Sequence, residues 1–250
     1  MKPHPLLLLT TLFAVGTTPL LAQSIWTAGH GDIGIGYVGN EFEPHWHLGE
    51  NNEEVIVDGV PVSDPLGFEY EPGDLIAQTS LSETRNSNSL WDPIGVNSGD
   101  TFYLFPETED LSTPYVGIGT EELDPLDWST NITLTLTGIS GTGVTAGGIF
   151  SLYTLDSFLD PTFFMTTNDG ITAGDAISVA ANTHSHFNFA FTQLGTYNLT
   201  FEVSGTHSVD GPKTASATYT FEVVPEPGSL ALFLLGSSAL LLKRRRASAA

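Results

Sequence analysis

The chain has 250 residues, 40% of them hydrophobic, a formal net charge of −22 and no cysteine. This length fits one large domain or two small ones. The lack of cysteine excludes disulfides and thiolate metal ligands, and the acidic balance argues against a nucleic-acid-binding surface.

The N-terminus has the pattern of a secretory signal peptide. Lys2 precedes an apolar segment over residues 6–15, and the small residue Ala22 ends the region. Threonines and Pro19 interrupt the apolar residues, so the segment is poorly suited to span a membrane. We therefore predict that residues 1–22 are a signal peptide, cleaved near Ala22, and that the protein is exported.

Residues 23–224 have the size of one domain with a substantial core. They contain two basic residues, Arg85 and Lys213, against 28 acidic ones, which is a formal charge of −26. Such a surface attracts cations and repels nucleic acids and anionic polymers. The many aromatic and β-branched residues argue against disorder.

Short runs of alternating apolar residues indicate β-strands along this region, at 54–59, 101–106, 131–138, 197–203 and 219–224. Asp-Pro pairs mark connections at 64–65, 92–93, 124–125 and 160–161. We predict a single all-β domain over residues 23–224. Its expected architecture is an antiparallel β-sandwich, either Ig-like or a jelly roll.

The C-terminus combines a Val224-Pro-Glu-Pro motif, an apolar stretch at 230–242 and a basic cluster at 243–246. These three elements resemble the PEP-CTERM sorting signal of Gram-negative bacteria that make exopolysaccharide. The resemblance implies that residues 225–250 form a transmembrane sorting helix with a cytoplasmic basic end, processed by an exosortase-type enzyme. The domain would then reside at the outer surface or in the exopolysaccharide matrix. A plain tail anchor is the alternative.

Four histidines form two His-x-His pairs, His45 with His47 and His184 with His186. On a β-strand such residues project from the same face, roughly 6.5 Å apart, so both imidazoles can approach one ion. Each pair supplies half of a tetrahedral zinc site, and two pairs on neighbouring strands would complete it. Whether the pairs share one ion stays open at this point.

Other side chains are further candidate ligands. His30 is the next in rank, and Asp32 and His207 are weaker candidates. Asp32, Glu43 and Glu50 are of the type that adds a ligand or orients an imidazole, but the expectation for each is a place in the general acidic surface. Without thiolates, the nitrogen donors suit zinc, copper, nickel or iron, and zinc is the expected metal.

The segment from His184 to Tyr197 reads His-x-His-x-Asn-Phe-x-Phe-Thr-x-x-Gly-x-Tyr. It resembles the histidine-containing repeat of actinobacterial surface-anchored proteins, grouped as the choice-of-anchor M family. Phe189 stands where that repeat has tryptophan, and Leu194 where it has proline. Weaker similarity extends to residues 29–34, 104–108, 117–119 and 133–153. The resemblance implies a surface protein linked to metal uptake, in a family of which a subset is under zinc-responsive repression, and it makes His30, His184 and His186 candidate ligands. A metal importer is the partner expected for a protein that captures metal at the surface.

Two other functions remain as alternatives. His45-x-His47 with Glu50, and His184 with Asn188, approximate the two metal motifs of a cupin-like metalloenzyme, although their spacing departs from the cupin pattern. Acidic residues between 156 and 175 suggest a calcium-stabilised matrix or adhesion protein instead. We expect a non-enzymatic, surface-anchored protein that captures or buffers zinc for acquisition.

Overall fold

The computed structural model describes residues 23–226. The predicted signal peptide, residues 1–22, and most of the predicted sorting signal, residues 227–250, lie outside the described residues. Within 23–226, no helix has the length and apolar character needed to cross a membrane.

The described region is mostly β-structure, as predicted, with strands over 56% of residues and helix over 5%. The first nine strands are β1 (Ser24–Val38), β2 (Glu41–Glu50), β3 (Val55–Val57), β4 (Val60–Val62), β5 (Leu66–Tyr70), β6 (Leu75–Thr79), β7 (Ser82–Thr84), β8 (Thr101–Phe105) and β9 (Pro114–Gly119). The remaining strands are β10 (Ile132–Ser140), β11 (Phe150–Leu155), β12 (Pro161–Thr166), β13 (Ala176–Val179), β14 (His184–His186), β15 (Asn188–Phe191), β16 (Gly195–His207) and β17 (Gly211–Val223). A 3-10 helix (Ser89–Ile94) and a one-turn helix α1 (Thr142–Thr145) complete the list.

The strands form two sheets. The larger sheet has twelve strands, with the main order β13-β10-β16-β17-β6-β1-β2-β5. From β1, a branch continues through β9 to β14, and a second branch continues through β3 to β4. The smaller sheet has five strands in the order β12-β11-β15-β8-β7.

A shared apolar core joins the two sheets. Phe221 on β17 of the larger sheet is fully buried, and its ring lies 5.4 Å from those of Phe105 and Phe189 on the smaller sheet. The opposite face of the smaller sheet covers a second cluster, in which Trp91 of the 3-10 helix packs edge-on against Tyr153. Both faces of the smaller sheet are therefore covered by apolar side chains.

The expectation of purely antiparallel sheets is wrong at three pairings. β1 runs parallel to both β6 and β9, and β17 runs parallel to β6. Parallel neighbours cannot be joined by a tight hairpin and need a longer crossover connection. Here the connections contain further strands, such as β2 to β5 between β1 and β6. Alternation along one strand shows which residues are buried but carries no information about the direction of its neighbour.

β1 changes partners midway, and this change positions the candidate site. Its first half pairs with β3 and β6, and its second half with β2 and β9. Gly29 lies at the change with φ of +94°, and a Cβ there would lie 2.5 Å from the carbonyl oxygen of Glu54. Only glycine fits this conformation and this close approach. His30 follows directly.

The chain crosses from one sheet to the other within the His184–Tyr197 segment. β14 belongs to the larger sheet and β15 to the smaller one, with Phe187 between them. Asn188 Oδ1 accepts a hydrogen bond from Glu107 N at 3.0 Å, and this contact ties the crossing to the end of β8. The Tyr197 hydroxyl donates to Gln193 O at 2.9 Å, which fixes the turn into β16. Much of the motif is therefore structural.

Candidate metal centre

The two strands that carry the His-x-His pairs, β2 and β14, lie at opposite ends of a row of four strands. In the order β2-β1-β9-β14, His47 is paired with Asp32, Asp32 with Gly117, and Gly117 with His186. Directly paired residues project from the same face. His47, Asp32, Gly117 and His186 therefore project from one face of the sheet. The alternate residues Ile33, Trp46 and Ile118 project from the other face into the core.

Glycines clear the space above this face. A Cβ at Gly117 would overlap Asp32 Oδ1 and lie 3.0 Å from the His186 ring. A Cβ at Gly34 would overlap His45 Nε2. The alternating glycines of β1 and β9 thus let the larger side chains of neighbouring strands lean inward over the sheet.

The first group of potential ligands consists of His30, Asp32, His184 and His186, whose donor atoms all lie within 4.8 Å of one another. His184 Nε2 and His186 Nε2 are 2.8 Å apart, and His30 Nε2 is 3.4 Å from Asp32 Oδ2. We call this group centre 1. It offers three imidazole nitrogens and one carboxylate.

In two of these imidazoles, the ring nitrogen that points away from centre 1 lies next to a carboxylate. His30 Nδ1 lies 3.0 Å from Glu53 Oε2, and His184 Nδ1 lies 2.9 Å from Glu121 Oε1. When each Nδ1–H donates to its carboxylate, the Nε2 lone pair faces the interior of centre 1. This carboxylate–histidine arrangement is the usual support of a metal-bound imidazole.

Centre 1 contains buried polar atoms without hydrogen-bond partners. They include His30 Nε2, Asp32 Oδ1 and His186 Nδ1. His30 is 9% exposed and Asp32 is 6% exposed, so water reaches neither side chain freely. Unpaired buried polar groups cost free energy, and a divalent cation coordinated by His30 Nε2 and Asp32 Oδ1 would satisfy both. The donor set therefore fits a metal ion.

The electrostatic environment is mixed. Burial opposes the charge of His30, but Asp32 and Glu53 outweigh it and raise the pKa of His30. Burial also opposes the charge of Asp32, yet His30, His184 and His186 together lower the pKa of Asp32. Burial lowers the pKa of His186 to about 4, so this imidazole stays neutral near pH 7. A neutral imidazole is the form that binds metal.

An acidic cavity adjoins His30. It has a volume of about 340 Å³, and Glu53, Glu54 and Glu109 contribute carboxylates to its wall, beside Tyr115. The Tyr115 ring stacks on the His30 ring at 5.0 Å. Clustered negative charge raises the local concentration of cations, so this cavity is suited to attract them towards centre 1.

The second histidine pair belongs to a different group. His45 and His47 converge with Glu122, with donor atoms again within 4.8 Å of one another. We call this group centre 2. The two His-x-His pairs therefore do not meet over one ion, because β1 and β9 lie between β2 and β14. The cupin arrangement requires both motifs to converge, and this sheet order keeps them apart.

His207 belongs to neither group. Its Nδ1 accepts hydrogen bonds from Val209 N at 3.3 Å and Asp210 N at 3.1 Å. Its ring stacks on Tyr37 at 5.0 Å. This histidine ends β16 and orders the turn into β17.

Two other sets of sequence candidates have local roles. Glu50 Oε1 lies 3.5 Å from His47 Nε2, whereas Glu43 contacts His45 through its backbone carbonyl. Among the acids between 156 and 175, Asp156 accepts backbone N–H groups of its own loop, and Asp175 accepts those of Thr166 and Thr172. Within 23–226, these acids do not gather into a group of potential ligands with one another.

The sequence reasoning missed three glutamates: Glu53, Glu121 and Glu122. Glu53 precedes β3, and the other two come after β9, with Thr120 between. The alternation Gly117-x-Gly119 was the available signal, because paired glycines on a strand indicate that neighbouring side chains cross over it. The acidic pair comes directly after that strand and Thr120.

Comparison with protein-family models, with curated proteins and with solved structures found no match to this chain. The geometry of the two centres therefore carries the functional argument, and the sequence resemblances stay predictions.

Proposed function

We propose that this protein is an exported, surface-anchored metal-binding protein that captures or buffers zinc. The observation that carries the proposal is the convergence of His30 and Asp32 from β1 with His184 and His186 from β14. Two of these imidazoles have carboxylate partners that direct their Nε2 lone pairs inward.

The donor set favours zinc among the metals that imidazole binds. With bonds of 2.0–2.1 Å, the ligand atoms of a tetrahedral zinc site lie roughly 3.3 Å apart. The donor atoms of centre 1 all lie within 4.8 Å of one another, and two of their separations are near that value: 2.8 Å between His184 Nε2 and His186 Nε2, and 3.4 Å between His30 Nε2 and Asp32 Oδ2. Small adjustments of the imidazoles would reach the tetrahedral arrangement.

Four protein ligands make centre 1 a closed site. Catalytic zinc sites keep a position for water or substrate, whereas closed sites hold the ion. Binding of the ion, rather than catalysis, is the function that such a donor set supports. We propose that the captured ion is passed to a metal importer or buffered at the surface.

The location rests on sequence features at both ends. A signal peptide at 1–22 and a PEP-CTERM-like signal at 225–250 support export and processing by an exosortase-type enzyme. β17 ends at Val223, and Val224 N donates to Thr79 O at 2.9 Å. The strands of the domain thus reach the start of the proposed sorting motif, and we place the domain, as part of this proposal, at the surface or in the exopolysaccharide matrix.

We further propose that the two sheets form a sandwich of the Ig-like or jelly-roll kind. The hydroxyl of Tyr197, near the start of β16, bonds back to Gln193. A tyrosine in this position is typical of Greek-key sandwiches.

The test is the metal content of the full-length chain, purified without a histidine tag, beside the variant His184→Ala/His186→Ala. We expect zinc in the parent and loss of the centre 1 ion from the variant, with unchanged circular dichroism. Equal zinc content in both proteins would disprove the role of centre 1. Iron or manganese in place of zinc would favour a metalloenzyme instead.

A further inference from the structure

We infer that His45, His47 and Glu122 form a second metal site, separate from centre 1 and open to an external ligand. This inference goes beyond the proposed function, because it adds a second ion with different exchange properties. It rests on the contacts among His45, His47 and Glu122 and does not require centre 1 to bind metal.

Backbone carbonyls fix the tautomers of both imidazoles. His45 Nδ1 lies 3.0 Å from Glu43 O, and His47 Nε2 lies 3.0 Å from Leu66 O. A carbonyl oxygen only accepts, so each of these ring nitrogens carries a hydrogen. In the neutral imidazoles, the lone pairs are then on His45 Nε2 and His47 Nδ1.

Both lone pairs face the same carboxylate. Glu122 Oε1 lies 3.0 Å from His45 Nε2 and 4.0 Å from His47 Nδ1. His45 is 8% exposed, and its Nε2 is buried without a partner in hydrogen-bond geometry, despite the nearby oxygen. Three acceptors directed at one point repel each other unless a cation lies between them. A divalent ion bound by all three would remove this repulsion.

An ion pair between a protonated His45 and Glu122 is the competing explanation. It would satisfy His45 Nε2 but would not involve His47 Nδ1, which lies 4.0 Å from the same oxygen. The metal site accounts for both nitrogens, and the glycine at position 34 fits it as well. A Cβ at Gly34 would overlap His45 Nε2 and so displace the imidazole from Glu122.

The two histidine pairs are too far apart to share an ion. β2 and β14 are separated by three strand spacings, which is roughly 14 Å. Bonds of about 2 Å cannot connect ligands across that distance. Two ions per chain are therefore expected.

Centre 2 supplies three protein ligands, so a tetrahedral ion there keeps one free position. The Glu122 side chain is 43% exposed, which places the carboxylate at the solvent boundary. A free position lets water or a donor atom of another molecule coordinate the ion before it leaves. We expect this ion to exchange faster than the ion of centre 1.

The experiment is a zinc titration of the full-length, metal-free chain, read as bound ions per chain. Two double variants are compared with the parent: His45→Ala/His47→Ala and His184→Ala/His186→Ala. We expect two ions in the parent and one in each variant. With a chromophoric chelator, the ion kept by the His184/His186 variant should leave at least tenfold faster than the ion kept by the other variant.

Single substitutions of neighbouring glutamates provide a matched control. Glu122→Gln should weaken the fast-exchanging ion, and Glu121→Gln should weaken only the slow one. Both variants remove one negative charge at almost the same place, so a difference between them cannot arise from net charge. Circular dichroism of the metal-free proteins checks that each one folds.

The outcomes separate this inference from the proposed function. One ion that only His184→Ala/His186→Ala removes would disprove centre 2 and leave the proposed function intact. One ion that only His45→Ala/His47→Ala removes would support centre 2 and disprove the proposed function, which rests on centre 1. A single ion lost in both variants, or no bound ion at all, would disprove two separate sites.

Discussion

Glu121 and Glu122 are adjacent in the chain, yet their carboxylates contact histidines of different centres. Glu121 Oε1 lies 2.9 Å from His184 Nδ1, and Glu122 Oε1 lies 3.0 Å from His45 Nε2. The turn after β9 therefore supplies a ligand of centre 2 and a supporting carboxylate of centre 1. A displacement of this turn would change both centres together.

Thr120 anchors that turn, and its replacement should affect both centres. Its buried hydroxyl lies 2.7 Å from Ala180 O and 2.8 Å from Thr183 O, which it can reach as a donor. Thr120→Val keeps the volume but removes this buried hydroxyl, which also accepts a hydrogen bond from Thr183 N at 3.1 Å, so Thr183 N loses its acceptor. We expect a loss of about 1–3 kcal/mol in the free energy of unfolding, measured in urea, and weaker zinc binding at both centres.

Thr137→Val is the control, because the Thr137 hydroxyl also donates to a carbonyl but lies at an exposed position. Its effect should stay within about 0.5 kcal/mol. Equal effects of the two substitutions would contradict the anchoring role of Thr120.

Gly117→Ala should block centre 1 without removing a ligand. The added methyl group would overlap Asp32 Oδ1 and crowd His186. We expect zinc affinity at centre 1 to fall at least tenfold, measured by competition with a chelator. Gly73→Ala is the matched control, since a Cβ there meets no atom within 4 Å. Normal binding by Gly117→Ala would show that the ion does not lie over β9.

Glu53→Gln should weaken centre 1 by loss of its support rather than of a ligand. The amide cannot stabilise the His30 imidazole as the carboxylate does at 3.0 Å. Substitution of such outer partners reduces metal affinity about 10–100-fold. Glu54→Gln removes the same charge one residue away, and comparable losses in both variants would indicate a general charge effect. Isothermal titration calorimetry provides the affinities.

Zinc affinity should fall as the solution becomes acidic, because a protonated imidazole cannot bind the ion. Asp32 and Glu53 raise the pKa of His30 against the effect of burial, so the loss begins above the ordinary value of about 6.5. The pKa of His186 is about 4, so this ligand adds no dependence above that pH. Chelator competition from pH 8 to pH 5 measures the effect. Constant affinity down to pH 5 would indicate carboxylate ligands.

Local sequence patterns determined much about this protein. Period-2 alternation predicted the strands that became β3, β8, β10, β16 and β17, because successive side chains of a strand point to opposite faces and this alternation is visible in a short segment. The His-x-His spacing placed His45 beside His47, and His184 beside His186, on one face of their strands. The absence of cysteine left nitrogen and oxygen as the only donors.

Only the tertiary structure decided which of these residues meet. The order β2-β1-β9-β14 separates the two histidine pairs and places His30 and Asp32 with His184 and His186. It also brings Glu53 and Glu121 to the far nitrogens of His30 and His184. Strand order and direction come from the free energy of packing two whole sheets around one core. No single segment of the chain contains that information.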